Sequence, residues 1–426
     1  MKRYRLREQM NGIPEAPGKV WFWELAAGVI DAGRCVQCGT CVAACPSNSI
    51  GVSRDTGLPE LVKMCTGCSL CWDFCPRGGL RYEALRPASP SADHRGAAAP
   101  AVDADGDAAG AAASGKITGG PPGDGLGSVL ERYAVRASTK ADGVQDGGAV
   151  TALLGALLDA GEIDGALVSK PSEDEDEPWK GVATVATTIA EVMSSAGSFY
   201  NQTMALAALD LSRSPSLPPR PRLAVVGTPC EIQGLSAMLA RRWSTGAHRV
   251  DAVVLSIALL CTKSFDYESL VLRELRDRRK VDLRRVAKID VVRGRLVVEY
   301  RDGKVAVDEP VKDFHGAALK GCDECADFLG RSADLSVGAV GSIGGWSSVL
   351  VRTGRGRRAF EVARGRFDVR DLADPQALVR LDQLDKRIAL RSLERSFDPD
   401  APLFIDYDEH LRSYDRTSRQ PVTIRR

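Results

Sequence analysis

The 426-residue sequence is poor in several features that would suggest a simple reading. It has four histidines (His94, His248, His315 and His410), none at metal-ligand spacing from another, so no histidine metal or acid–base centre is indicated. It has almost no net charge. Its 57 Lys and Arg nearly cancel 56 Asp and Glu, which removes the field that nucleic-acid binding needs. Its longest apolar stretch, Ala252 to Cys261, is about half of what spans a bilayer. The basic start (Lys2, Arg3, Arg5, Arg7) leads into Asn11, Gly12 and Pro14 rather than an apolar segment, which is not how an export signal reads. No Gly-x-Gly-x-x-Gly follows a strand-like run, so a Rossmann-type dinucleotide site has no support. The expectation is a cytoplasmic protein that meets a membrane only through a partner. An apolar fraction of 44% and a charged fraction of 27% are ordinary for a globular protein, and the length allows two or three domains.

Cysteine, in contrast, is plentiful: there are 12. In a reducing compartment that argues for metal or cluster ligation rather than disulfides. The first eight form two runs, Cys35-x2-Cys38-x2-Cys41-x3-Cys45-Pro46 and Cys65-x2-Cys68-x2-Cys71-x3-Cys75-Pro76, and each position of the second lies 30 residues (65 − 35) after its counterpart. This is the spacing of two-cluster ferredoxins, in which three close thiolates cap one 4Fe–4S cubane and the fourth, turned away by proline, reaches the other. Cys35, Cys38, Cys41 and Cys75 are therefore expected on one cluster, and Cys65, Cys68, Cys71 and Cys45 on the second. Paired zinc sites also use Cys-x2-Cys, but not three evenly spaced cysteines followed by Cys-Pro, twice over. Such clusters pass single electrons and do no substrate chemistry themselves.

Patterning then divides the chain into an N-terminal extension with a two-cluster ferredoxin fold at 1–86 and an Ala/Gly/Pro-rich flexible linker at 87–128. An α/β pattern follows over 129–400, then a basic tail at 401–426. Within the α/β part a helix is expected over Ala149–Ala160, with strands from Ala166, over Leu223–Val226 and over Ala252–Leu260. A hairpin around Asp302-Gly303 is expected in Ile289–Val307, with short strands at Leu335–Val340 and Val349–Arg352 beside a glycine-rich loop. Pro375–Phe397 reads as an Arg-rich helix with a solvated face, and Glu173–Glu177 as a solvated loop.

Cys230, Cys261, Cys322 and Cys325 remain. Two of them directly follow strands, and at the carboxyl edge of an open sheet distant cysteines can converge. Spacing alone leaves a third cluster, a structural zinc site, or two buried thiols with a zinc-like pair all open. The surrounding blocks go further. Gln145-Asp146-Gly147-Gly148-Ala149-Val150-Thr151, Ile163-Asp164-Gly165-Ala166, Gly197-Ser198-x-Tyr200, Gly227-Thr228-Pro229-Cys230, Cys261-Thr262-Lys263-Ser264-Phe265, and Cys322-x2-Cys325-x-Asp327-Phe328 leading to Gly341-Ser342 and Gly345-Trp346-Ser347 occur in one order. From about residue 131 to 370 the chain thereby resembles the β subunits of coenzyme F420-reducing hydrogenases and dehydrogenases, and the resemblance implies their N-terminal region at 129–212 and their C-terminal region at 213–400. The fused ferredoxin segment is similar to the input subunit of complex-I-like deazaflavin dehydrogenases.

The resemblance implies an oxidoreductase that binds FAD, a third 4Fe–4S cluster on Cys230, Cys261, Cys322 and Cys325, and coenzyme F420 as substrate. Its partners would be hydrogenase, formate dehydrogenase or complex-I-like subunits. It also makes Gly147, Gly148, Thr151, Ser198, Tyr200, Thr228, Gly341 and Ser342 candidates for the flavin site, with the FAD rather than a side chain carrying the chemistry. Small residues allow close backbone approach and hydroxyls donate to phosphates and ring oxygens. Glu231 stands where the family more often has Gln. Alternatives within the resemblance are a ferredoxin-dependent chlorophyll-type reductase of the same superfamily and a non-catalytic electron-transfer subunit.

Overall fold

The computed structural model describes residues 21–78, 125–139, 144–209, 216–240 and 248–392. The expected linker up to residue 124, the tail at 401–426, His94, His410 and the side chain of His248 lie outside them. The architecture is mixed α/β, as expected, with an N-terminal cysteine-rich unit packed on a large sheet.

The N-terminal unit begins with a short helix, Phe22–Leu25, that continues in wider turns through Ile30. Strands β1 (Ile50–Val52) and β2 (Pro59–Leu61) pair antiparallel. The helices Thr40–Ala44 and Leu70–Asp73 occupy equivalent places in the cysteine repeat. The repeat extends to the backbone: Gln37 and Gly67 share positive φ (51° and 67°), and so do Gly39 and Ser69 (77° and 68°).

The eight-stranded sheet contains β3 (Glu131–Ala137), β4 (Gly165–Pro171), β5 (Gly181–Ala186), β6 (Leu223–Gly227), β7 (Val253–Leu259), β11 (Leu335–Gly338), β12 (Ser347–Val351) and β13 (Phe367–Arg370). Its order is β13-β3-β12-β11-β7-β6-β4-β5. Strands β4, β6, β7 and β11 form its parallel centre, and antiparallel pairs close both sides. The central strands read as continuous apolar runs because both faces are covered. One face packs on the helices Ala149–Asp159 and Gly354–Ala363 through Leu153, Leu157, Ile257, Val337 and Phe360. The other packs on the helix Pro229–Ala240 through Val225, Val253, Ile232 and Leu235.

Three expectations are corrected. Ile289–Val307 belongs not to one hairpin but to a three-stranded meander, β8 (Val286–Val292), β9 (Arg295–Tyr300) and β10 (Val305–Pro310). A second tight turn at Arg293-Gly294, with φ of 48° and 75°, precedes the one at Asp302-Gly303. The described part of the C-terminal helix, Pro375–Ser392, is not merely solvated, since Leu378, Asp382, Asp385, Lys386 and Ala389 are buried. Asp382 takes a bidentate ion pair from buried Arg331, at 2.6 and 2.8 Å. Finally, the last residues assigned to the linker are packed: Leu126 is buried, and the Gly125 carbonyl accepts from Arg331 at 3.0 Å.

The N-terminal unit is seated on the sheet domain. Ala43, Ala44, Leu70 and Phe74 share one apolar cluster with Leu206, Ile232, Leu235 and Met238. Burying a Leu or Phe side chain is worth about 1.5–3 kcal/mol, so this contact is a core rather than a touch. A buried ion pair bolts it: Arg34 Nε and Nη2 donate to Glu324 Oε1 and Oε2 at 2.9 and 2.8 Å. Gly321 allows the approach, because a Cβ there would lie 2.1 Å from the Arg34 carbonyl oxygen.

Candidate redox centre

The first eight cysteines gather in two groups. A small cavity is lined by Cys35, Cys38, Cys41 and Cys75, roofed by Leu25, Val29, Val36 and Pro59. Burial, and then the charges of Cys35, Cys38, Cys75 and Cys71, hold the Cys41 thiol well above its ordinary range. Burial pushes Cys75 up to about 12, with the Cys38 charge adding to it, and Cys35 to about 12 as well. Around Cys71, burial is joined by Cys65, Cys68, Cys45 and Cys75. The fourth cysteine of each run therefore faces the other run, and Cys71 and Cys75 stand where the groups adjoin. Backbone N–H groups point at the sulfurs in equivalent places: Gln37 to Cys35 and Gly67 to Cys65, both at 3.4 Å. Ser49 N donates to Cys45 Sγ at 3.2 Å.

The other four cysteines converge at the carboxyl edge of the parallel strands. Cys230 opens the helix after β6 and Cys261 follows β7. Cys322 and Cys325 sit on the turn Lys320–Glu324 and just beyond it. The Cys261 N–H reaches the Phe328 carbonyl at 3.3 Å, and Ser264 N donates to Cys322 Sγ at 3.4 Å. Burial raises the Cys230 thiol well above its range, and Cys38 is its first neighbouring charge, ahead of Cys325. Burial likewise raises Cys261, followed by Cys322 and Cys325, and takes Cys322 to about 11. Cys38 and Cys230 thus touch across the seam between the two units, in one apolar contact with Val36 and Cys322.

None of the 12 cysteines is in a disulfide. Among the described residues no three metal-ligating side chains close on a point as the ligands of a single ion would. A cubane asks for something different, one thiolate per iron around a body larger than an ion. Crowded buried thiols suit it: alone they are driven to the neutral form, and iron deprotonates them and offsets their mutual repulsion.

All eight flavin candidates lie along the same carboxyl edge, but several are already engaged. Gly147 is filled by protein: a Cβ there would stand 2.3 Å from the Val135 carbonyl oxygen and 2.5 Å from Ser347 N. Tyr200 donates to Asp290 Oδ1 at 3.0 Å and accepts from Val291 N at 2.8 Å. Ser342 Oγ is 2.8 Å from Ser348 Oγ, and the Gly341 carbonyl accepts from Asp374 N at 2.9 Å. Thr228 Oγ1 lies 3.1 Å from Cys230 Sγ and accepts from Gln202 at 3.0 Å, so it faces the cysteines. Gly148, Thr151 and Ser198 fit a flavin phosphate or ring better. Gly148 (φ 66°) starts the helix Ala149–Asp159, whose first N–H groups have no side-chain cap, and Thr151 and Ser198 are half-buried.

Sequence reasoning missed Glu231 as a structural part of this edge. Its buried carboxylate accepts from Thr228 N at 2.8 Å and from Ala205 N at 3.1 Å, and burial pushes it up. It missed Arg34, Arg77 and Glu324 altogether. They are ordinary charged residues in the sequence, and only their juxtaposition marks them.

Comparison with known proteins agrees with this layout. Residues 132–210 match the family described as coenzyme F420 hydrogenase/dehydrogenase, beta subunit N-term, and residues 221–375 its C terminus. Residues 28–81 match a 4Fe-4S dicluster domain. The chain is 28% identical to the coenzyme F420-dependent sulfite reductase of Methanocaldococcus jannaschii over 88% of its own length, and spans 52% of that relative. It is also 28% identical to a subunit of the F(420)H(2) dehydrogenase of Methanosarcina mazei, covering 82% of this chain and 87% of the other. The fold matches a chain of the F420-reducing [NiFe] hydrogenase complex of Methanosarcina barkeri with a TM-score of 0.57 and 28% identity, over 63% of this chain and 93% of that one.

Proposed function

Since the chain belongs to the coenzyme F420 hydrogenase/dehydrogenase β-subunit family and has a 4Fe-4S dicluster domain ahead of it, we propose that it is an iron–sulfur flavoprotein exchanging electrons between coenzyme F420 and a partner oxidoreductase. The partner is of the hydrogenase, formate dehydrogenase or complex-I-like class. One observation carries the reading: Cys230, Cys261, Cys322 and Cys325 meet at the sheet edge, and Cys38 of the N-terminal group lies directly against Cys230.

The ligand sets follow. Cys35, Cys38, Cys41 and Cys75 hold one cluster, Cys45, Cys65, Cys68 and Cys71 the second, and Cys230, Cys261, Cys322 and Cys325 the third. Gly148, Thr151 and Ser198 receive FAD at the same edge. FAD, when bound, supplies the exchange of a hydride for single electrons, which a deazaflavin and an iron–sulfur cluster cannot trade directly. The chain's own residues do the placing. The cysteines give up their protons on ligation, and the N–H groups of Gln37, Ser49, Gly67 and Ser264 stabilise charge on the sulfurs. Leu25, Val29, Val36 and Pro59 exclude water from the first group.

Cofactor content tests this reading. Anaerobically purified protein should contain about twelve iron and about twelve acid-labile sulfide per chain, together with stoichiometric FAD. Zinc in place of iron, or full iron without flavin, would contradict it.

A further inference from the structure

One buried charge is placed to act on two cysteine groups at once. Arg77 follows Cys75-Pro76 and is 1% exposed. Its Nε donates to the carbonyl of Gly321, the residue before Cys322, at 2.6 Å. Its Nη1 turns back to the Pro76 carbonyl at 2.8 Å, and its own carbonyl accepts from Arg34 Nη2 at 2.8 Å. The guanidinium is thereby fixed from both sides in the seam where Val36, Cys38, Cys230 and Cys322 meet. Arg77 thus stands two residues after Cys75 of the N-terminal group while its guanidinium is bonded to the residue next to Cys322 of the other group. Neighbouring Arg34 pairs with the buried Glu324 carboxylate.

We infer that Arg77 is a shared positioning residue for two adjacent iron–sulfur clusters, a fixed cation that raises both reduction potentials together without widening the step between them. The inference rests on the cluster assignment proposed above. Reduction adds negative charge to a cluster, and a buried cation stabilises that charge far more than one in water would. Because one cation faces both clusters, removing it lowers both potentials and changes their difference little. The cluster of Cys45, Cys65, Cys68 and Cys71 lies beyond it and should not respond.

The test is an anaerobic redox titration of the full chain, followed by electron paramagnetic resonance. Arg77→Gln keeps an N–H for the Gly321 carbonyl but loses the charge. It should lower the one-electron reduction equilibrium of both seam clusters about tenfold, ~59 mV, with the third midpoint unmoved. Arg77→Lys should keep both near wild type. Unmoved midpoints in Arg77→Gln, or a shift in only one seam cluster, would overturn the inference. If Arg77→Gln fails to assemble its clusters, the same titration of Arg77→Met decides: unmoved midpoints, or a shift in only one seam cluster, overturn the inference. Wild-type protein with about eight iron would instead remove the third cluster, and the functional reading with it.

Discussion

The Thr228 hydroxyl, 3.1 Å from Cys230 Sγ, shows how a single residue changed its meaning between sequence and structure. As part of Gly-Thr-Pro-Cys it suggested a flavin contact; in the fold it belongs to the cysteine it precedes. Thr228→Val should lower the midpoint of the C-terminal cluster, read by redox titration, while FAD content stays at wild type. Loss of flavin with an unmoved midpoint would restore the flavin role. Gly147 makes the complementary case, because its hydrogen is needed by Val135 and Ser347 rather than by a ligand. Gly147→Ala should cost about 1–3 kcal/mol of stability in denaturant unfolding, with FAD per folded chain unchanged. The cysteines were the most legible residues. Covalent cluster chemistry fixes residue type and spacing, so the two Cys runs announce themselves in the sequence. The flavin contacts were least legible, because glycine and hydroxyl side chains serve turns, close packing and ligands alike.

Among the elements, strands buried on both faces were readable, and β6, β7 and the helix Ala149–Asp159 lie within a residue or two of their expected bounds. The helix Pro375–Ser392 was misjudged because charge in its pattern suggested water. In the structure Asp382 meets Arg331, which also holds the Gly125 carbonyl, so helix, strand loop and the chain entering β3 are tied at one buried point. Asp382→Ala leaves the buried guanidinium only the longer ion pair to Asp327, at 3.7 Å, and should cost about 3–5 kcal/mol in denaturant unfolding. Replacing both partners by apolar residues of similar volume should cost much less. Equal losses would mean that the pair itself, not the unmatched charge, governs stability.

For the molecule as a whole, the seating of the N-terminal unit was the feature least visible in the sequence. Arg34 and Glu324 are 290 residues apart, and nothing local announces their pairing. The apolar seam through Ala43, Leu70, Phe74, Leu235 and Met238 makes the unit a fixed wire rather than a swinging one. Cutting the chain at a protease site inserted within residues 87–124 should therefore leave both pieces comigrating in gel filtration. Separation of the pieces would show that the seam is weaker than its burial implies. Among the described residues no helix is long and apolar enough to cross a membrane. The layout as a whole claims a path from coenzyme F420, through the sheet edge at Cys230, to the N-terminal cysteine groups. Anaerobic rapid mixing of the holoprotein with reduced coenzyme F420 tests it most directly, with the flavin absorbance and the N-terminal cluster signals followed together. The flavin band should bleach and the N-terminal clusters should become reduced, whereas NADH should do neither; reduction by NADH with no response to reduced coenzyme F420 would contradict the account.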